Sequence, residues 1–143
     1  MTLFLLAQIA GASVAIDANQ VESVVDIGAI TPAPRAPAIV RGLAALRSRV
    51  VTVLDPRVAL GLPPSETTAR AVIVRVEGHH YALLVDGLDD VAPFDLEPLA
   101  NGLTIAPGWR EICRGVVTRG DEPVLAIDLA ALIPAAGTGA LAA

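Results

Sequence analysis

The chain has 143 residues, enough for one domain; 54% of them are hydrophobic and the net charge is −5. That balance excludes the concentrated basic face a phosphate backbone requires, and Phe4, Tyr81, Phe94 and Trp109 are too few aromatics for a base-stacking platform, so no nucleic acid is expected as a partner. Cys113 is the only cysteine, which excludes an internal disulfide and a cysteine metal cluster. In chain order, the uncharged stretch 1–16 is shorter than the ~18 apolar residues of a spanning helix and lacks a basic flank. It reads as strands at 3–9 and 13–17 around Gly11, and the expectation is a cytoplasmic protein with no direct membrane insertion. A strand at 21–27 and a proline-rich loop at 31–37 follow. An Ile-x-Arg-Gly turn and polar hinge then lead to a strand at 50–54. Asp55 is placed to N-cap a short helix that Gly61 ends. After a loop at 62–68 come strands at 71–77, 80–86 and 88–92, the first two joined by Glu77-Gly78-His79. A loop at 93–109 has room for one more short strand. Strands at 114–118 and 123–127 flank Arg119-Gly120-Asp121, and Asp128 opens a second short helix. The expected domain is 1–134, and 135–143 reads as a flexible tail.

Two segments repeat. IVRGLAALRSRVVTVLDPRVALGL (39–62) returns as ICRGVVTRGDEPVLAIDLAALI (112–133) at an offset of 73 residues, matching Arg41 to Arg114, Gly42 to Gly115 and Asp55 to Asp128. LFLLAQIAGASVAIDANQVESV (3–24) returns as RAVIVRVEGHHYALLVDGLDDV (70–91) at an offset of 67, matching Gly11 to Gly78, Ala15 to Ala82 and Val24 to Val91. Many short strands, regular turns and no long amphipathic helix fit two small barrels sharing a core. The repeat order does not say which strands close which barrel. Gly42, Asp55, Gly115 and Asp128 are the expected structural residues, and the interface between the halves is the expected functional region.

Catalytic patterns are weak. Asp55 and Asp128 occupy equivalent positions, as two acids sharing a proton would, but each precedes a helix start rather than a flexible turn, which favours capping. His79 and His80 are adjacent in an exposed turn, where alternation points them apart and no third ligand stands at a useful spacing. Asp86, Asp89, Asp90 and Asp95 lack a calcium-loop pattern and read as a solvated edge. Cys113 has an apolar setting and reads as inert. No enzyme activity, metal or cofactor is expected. Arg47, in an otherwise apolar run before a strand, suits an interface because its forked guanidinium binds carboxylates and carbonyls.

The run Val40 to Arg57, the segment Tyr81 to Val91, and Arg114-Gly115-Val116 followed by 124–129 resemble the CheW-like family in order and over residues 3–133. The resemblance implies an all-β fold of two SH3-like five-stranded β-barrel subdomains related by a pseudo-two-fold, with short helices. It implies a non-enzymatic chemotaxis adaptor joining the cytoplasmic tip of a methyl-accepting chemoreceptor to the regulatory domain of the histidine kinase CheA in signalling arrays. It puts receptor binding at Arg47, Val21, Ser23 and Val91. Ala45-Leu46-Arg47-Ser48 stands where the family has Asn-Leu-Arg-Gly, and Ser23 stands where Glu is frequent. The residues leave open a scaffold for a non-chemotactic pilus-motility or developmental system, a small hydrolase on Asp55 and Asp128, and a barrel holding an apolar small molecule.

Overall fold

Runs of apolar and β-branched residues make ten strands among the described residues, which in a computed structural model of the chain are 1–46, 49–63, 70–99 and 107–133. They are β1 (Thr2–Ile9), β2 (Ala12–Asp17), β3 (Val21–Asp26), β4 (Val40–Leu46), β5 (Arg49–Leu54), β6 (Arg70–Val76), β7 (His79–Leu84), β8 (Gly87–Phe94), β9 (Cys113–Arg119) and β10 (Glu122–Ile127). Three short helices, α1 (Pro56–Ala59), α2 (Pro107–Glu111) and α3 (Leu129–Leu132), and a 3₁₀ turn at Ala18–Gln20 complete them. The expected tail at 135–143 lies outside the described residues.

The strands form two five-stranded sheets, ordered β8-β1-β2-β10-β9 and β3-β6-β7-β5-β4. The first barrel therefore takes strands from both ends of the chain, and the second is the continuous stretch β3 to β7. The repeat offsets reappear in the ladders. Leu125 and Ala126 pair in parallel with Val14 and Ala15; their counterparts Thr52 and Val53 pair in parallel with Tyr81 and Ala82. Val91 lies opposite Leu5, and Val24 lies opposite Val72. The repeat-related hairpin turns Ala10-Gly11 and Glu77-Gly78 each have two residues at positive φ (53° and 79°, 52° and 81°), the twist that two-residue hairpins favour.

Each barrel has its own core, and a third core lies between them. On β1, Phe4 and Leu6 point into the first barrel with Ala15, Val117 and Val124. Leu5, Ala7 and Ile9 point the other way, onto Val72, Val74, Tyr81 and Leu83 of the second barrel. Ile73 and Ala71 of β6 face the second barrel's interior with Val51, Val53 and Leu84. Strands covered on both faces need unbroken apolar runs, which accounts for the hydrophobic excess without a bilayer. Among the described residues no helix is long and apolar enough to cross a membrane.

Backbone approach at two glycines draws the barrel edges together. Thr31 and Leu43 exchange two hydrogen bonds, both 2.8 Å, beside Gly42. Glu97 and Val116 exchange two of 2.8 and 2.7 Å beside Gly115. A Cβ at Gly42 would fall on the Thr31 carbonyl, and one at Gly115 would lie 2.5 Å from the Glu97 carbonyl oxygen. The sequence reading places no strand at 40–46. β4 forms there because its backbone pairs with β5 from Leu46↔Arg49 to Val40↔Leu54, despite a bulge at Arg41 and a glycine beside it. Nor does it place a helix at 107–111, where α2 lies. Asp55 and Asp128 cap α1 and α3, accepting from the amides of Arg57 and Ala130 at 3.1 Å.

Candidate partner-binding cleft

β3 and β4 are the edge strands of the second barrel and are not neighbours in a ladder. Beyond the Thr31–Leu43 bridge they leave a cleft of about 640 Å³ between residues 22–26 of β3 and Ala45, Leu46 and Arg49 of the β4–β5 hairpin, with Ile73 of β6 also lining it. Among the described residues the two strand edges are unpaired beyond that bridge, and with a mixed apolar and charged lining this makes a place where another chain can dock.

The expected receptor residues separate on this frame. The ladder between β3 and β6 slips at Glu22, so that Val21 lies opposite Val74 while Ser23 lies opposite Ile73. Val74 belongs to the shared core and Ile73 to the second barrel's interior, so the bulge sends Val21 and Ser23 to opposite faces. Val21 packs against the shared core, whereas Ser23 is exposed and lines the cleft. Val91 does not line it; it lies opposite Leu5 on the first barrel, 51% exposed. Its counterpart on the second barrel is Val24, opposite Val72 and 40% exposed. Val24 is the apolar cleft residue that site reasoning missed, although the 67-residue repeat pairs it with Val91. Arg47 lies outside the described residues; the hairpin's last described pair is Leu46↔Arg49.

Charge gathers at one end of the cleft around Glu22. Its Oε1 is 3.0 Å from Nε2 of His80, and its Oε2 accepts from Arg49 at 3.3 Å. The His80 nitrogen is closed off from solvent, and its contact with Glu22 is short but off the ideal hydrogen-bond angle. That contact is the chief cause holding the Glu22 carboxyl below its usual range; partial desolvation opposes it, and the charges of His80, Arg49 and Arg75 add to it. The exposed-turn reading therefore holds for His79 but not for His80, which points inward from β7.

The other singled-out groups are structurally engaged. Asp55 is fully buried in an ion pair with Arg41 (3.1 Å), while the equivalent Arg114 reaches Asp17 instead (3.7 Å). Asp86 accepts from the Ala10 amide at 2.7 Å and lies 3.9 Å from Arg57. The Cys113 thiol donates to the Gly115 carbonyl at 3.0 Å, and burial pushes its pKa up, so it stays protonated at neutral pH. Iodoacetamide at pH 7.5 is accordingly expected to alkylate Cys113 much more slowly in the folded protein than in urea. Equal rates, followed by mass spectrometry, would show an open thiolate.

Residues 3–137 match the family model of the CheW-like domain. The chain is 33% identical over 110 residues to the chemotaxis protein CheW of Rhizobium meliloti (strain 1021), covering 73% of this chain and 69% of that protein. It is 32% identical over 116 residues to a probable chemotaxis protein CheW of Rhizobium etli, covering 77% and 75%. The fold aligns with the crystal structure of the scaffolding protein TtCheW from Thermoanaerobacter tengcongensis at a TM-score of 0.76 and 24% identity, over 88% of each chain. That likeness speaks for the fold, and the family match with the two relatives speaks for descent: the chain belongs to the CheW-like domain family.

Proposed function

We propose that the protein is a non-enzymatic cytoplasmic adaptor of chemotaxis, coupling the tips of methyl-accepting chemoreceptors to the regulatory domain of the histidine kinase CheA. The observation that carries the reading is the open cleft of the second barrel. The family resemblance puts receptor contacts at Ser23 and Arg47, and Ser23, Leu46 and Arg49 line one cavity with the apolar Val24. An amphipathic receptor helix would lay its apolar side against Val24 and Leu46, and Arg47 would add a forked polar anchor. Val21 stiffens β3 from the shared core, and Val91 offers a matching apolar position on the first barrel. Kinase control then needs no bond chemistry. Binding both partners at once gives a coupling free energy between receptor state and kinase orientation.

The test is a pull-down with a receptor signalling tip and the kinase regulatory domain, separately and together. Ternary recovery supports the reading; binding of neither partner overturns it. Arg47→Glu is expected to weaken tip binding by about tenfold, ~1.4 kcal/mol, as loss of an arginine anchor does. Its circular dichroism spectrum and melting temperature should match wild type. Undiminished tip affinity in that variant removes Arg47 from the site.

A further inference from the structure

Among the described residues, two clamps cross the open side of the second barrel. One is the backbone bridge between Thr31 and Leu43. The other lies further along the hairpin, where Glu22 meets Arg49, the partner of Leu46 in the last described pair. Glu22 is the bulge residue of β3, which frees its side chain from strand alternation and re-aims it. Its two carboxylate oxygens then serve two strands at once, Oε1 against His80 on β7 and Oε2 against Arg49 on β5. Neither β5 nor β7 is a ladder neighbour of β3, whose ladder partner among the described residues is β6. The carboxylate is therefore a strut across the mouth of the barrel.

We propose that Glu22 is a positioning residue for the partner-binding cleft: by holding Arg49 and His80 together it sets the distance between β3 and the β4–β5 hairpin, and so the affinity for a receptor helix. The inference rests on the cleft being the receptor site. Other charged groups on the packed elements do not substitute for Glu22. Asp26 of β3 pairs with Arg70 of β6 (3.6 Å), Arg75 of β6 and His79 of β7 are exposed, and Glu22 is the acid that Arg49 and His80 share. The strut is strongest while Glu22 is ionised. Its carboxyl pKa is lowered in the fold, so its stabilising contribution is present above the ordinary value of 4.5 and is lost as pH falls through the lowered one.

Two readouts separate this role from a general structural one. Spin labels at Ser23→Cys and Ala45→Cys, in a Cys113→Ser background, report the cleft width by pulsed electron resonance. Affinity for a receptor signalling tip is measured in parallel, with the kinase regulatory domain as control. Glu22→Gln is expected to broaden and lengthen the distance distribution and to weaken tip binding roughly five- to tenfold, the scale of ordinary coupling between sites. Kinase-domain affinity should stay unchanged, and as the pH is lowered below 4.5 the melting temperature of Glu22→Gln should fall less than that of wild type, by the share that Glu22 contributes. The charge swap Glu22→Arg with Arg49→Glu restores the pair with β5 but not the contact with His80, and should recover only part of the tip affinity. An unchanged width with unchanged affinity overturns the proposal. So does an unchanged width with lost affinity, which makes Glu22 a direct contact, and so does a changed width with wild-type affinity. If wild type binds no tip while Glu22→Gln still widens the cleft, the receptor reading fails and the strut stands.

Discussion

Asp55→Ala is expected to lower stability by about 3 kcal/mol, whereas the equivalent Asp128→Ala should cost only about 1 kcal/mol, the usual value of an N-cap. Both aspartates open a short helix, and each accepts a capping amide hydrogen bond of 3.1 Å. They differ in what surrounds them. Asp55 is fully buried and 3.1 Å from Arg41, whose side chain is 28% exposed. Removing the acid takes from the Arg41 guanidinium a charge that it was desolvated against; the arginine's residual contact with water puts the loss at the low end of the ~3–5 kcal/mol for broken buried pairs. Asp128 is only partly buried, and Arg114 pairs with Asp17. Asp55→Asn separates the two contributions, since asparagine caps nearly as well as aspartate but carries no charge. Urea denaturation should place the Asn variant close to the Ala variant. An Asn variant as stable as wild type would mean the ion pair contributes nothing net. Equal losses at Asp55 and Asp128 would mean the two halves are energetically alike.

That asymmetry shows how far the sequence could be read. The Gly, Arg and Asp identities at an offset of 73 mark positions that the ladders make equivalent, down to the bulges at Arg41 and Arg114. The pattern cannot show that the two arginines choose different acids. The choice follows from a position in the other repeat, where Asp17 of the first barrel is replaced by Leu84 in the second. Leu84 is buried in the second barrel's core, and Arg41 turns to Asp55. Strand exchange was equally hidden. Only Val85 and Asp86 separate β7 from β8, a gap that locally suits a hairpin. Val85 instead joins the shared core, and Asp86 binds the Gln8 carbonyl and the Ala10 amide, which sends β8 onto β1. In the candidate site, Val21 and Ser23 are two residues apart and read as one face. A bulge is a property of backbone register, and nothing in the string Val21-Glu22-Ser23 announces that Glu22 is the extra residue. The apolar pair Val24 and Val91 was legible from the repeat, because a pseudo-two-fold that matches positions also matches their exposure.

Gly42→Ala is expected to be the most damaging single change of a small residue, costing about 4 kcal/mol or more, in the range that only a named structural fault produces. Two causes add. Gly42 has φ of 145°, a conformation that alanine adopts only under strain of about 1–3 kcal/mol. Its missing Cβ is also the space the Thr31 carbonyl occupies, so a methyl group must push the 27–31 segment away and break the double bridge to Leu43. Each bridge hydrogen bond is worth about 1 kcal/mol net, and more where its donor is left dry. Two glycines calibrate the argument. Gly11 has φ of 79° but open space around its Cβ position, so Gly11→Ala should cost only about 1 kcal/mol for the backbone. Gly115 crowds Glu97 in the same way as Gly42 crowds Thr31, but without a left-handed φ, and Gly115→Ala should fall between the two. The expected order of urea midpoints is wild type, Gly11→Ala, Gly115→Ala, Gly42→Ala. A Gly42→Ala midpoint at or above that of Gly11→Ala would show that the 27–31 segment swings aside freely. Of the two clamps described, the Glu22 strut alone would then hold the mouth of the second barrel, and Glu22→Gln should become far more damaging in that background than in wild type.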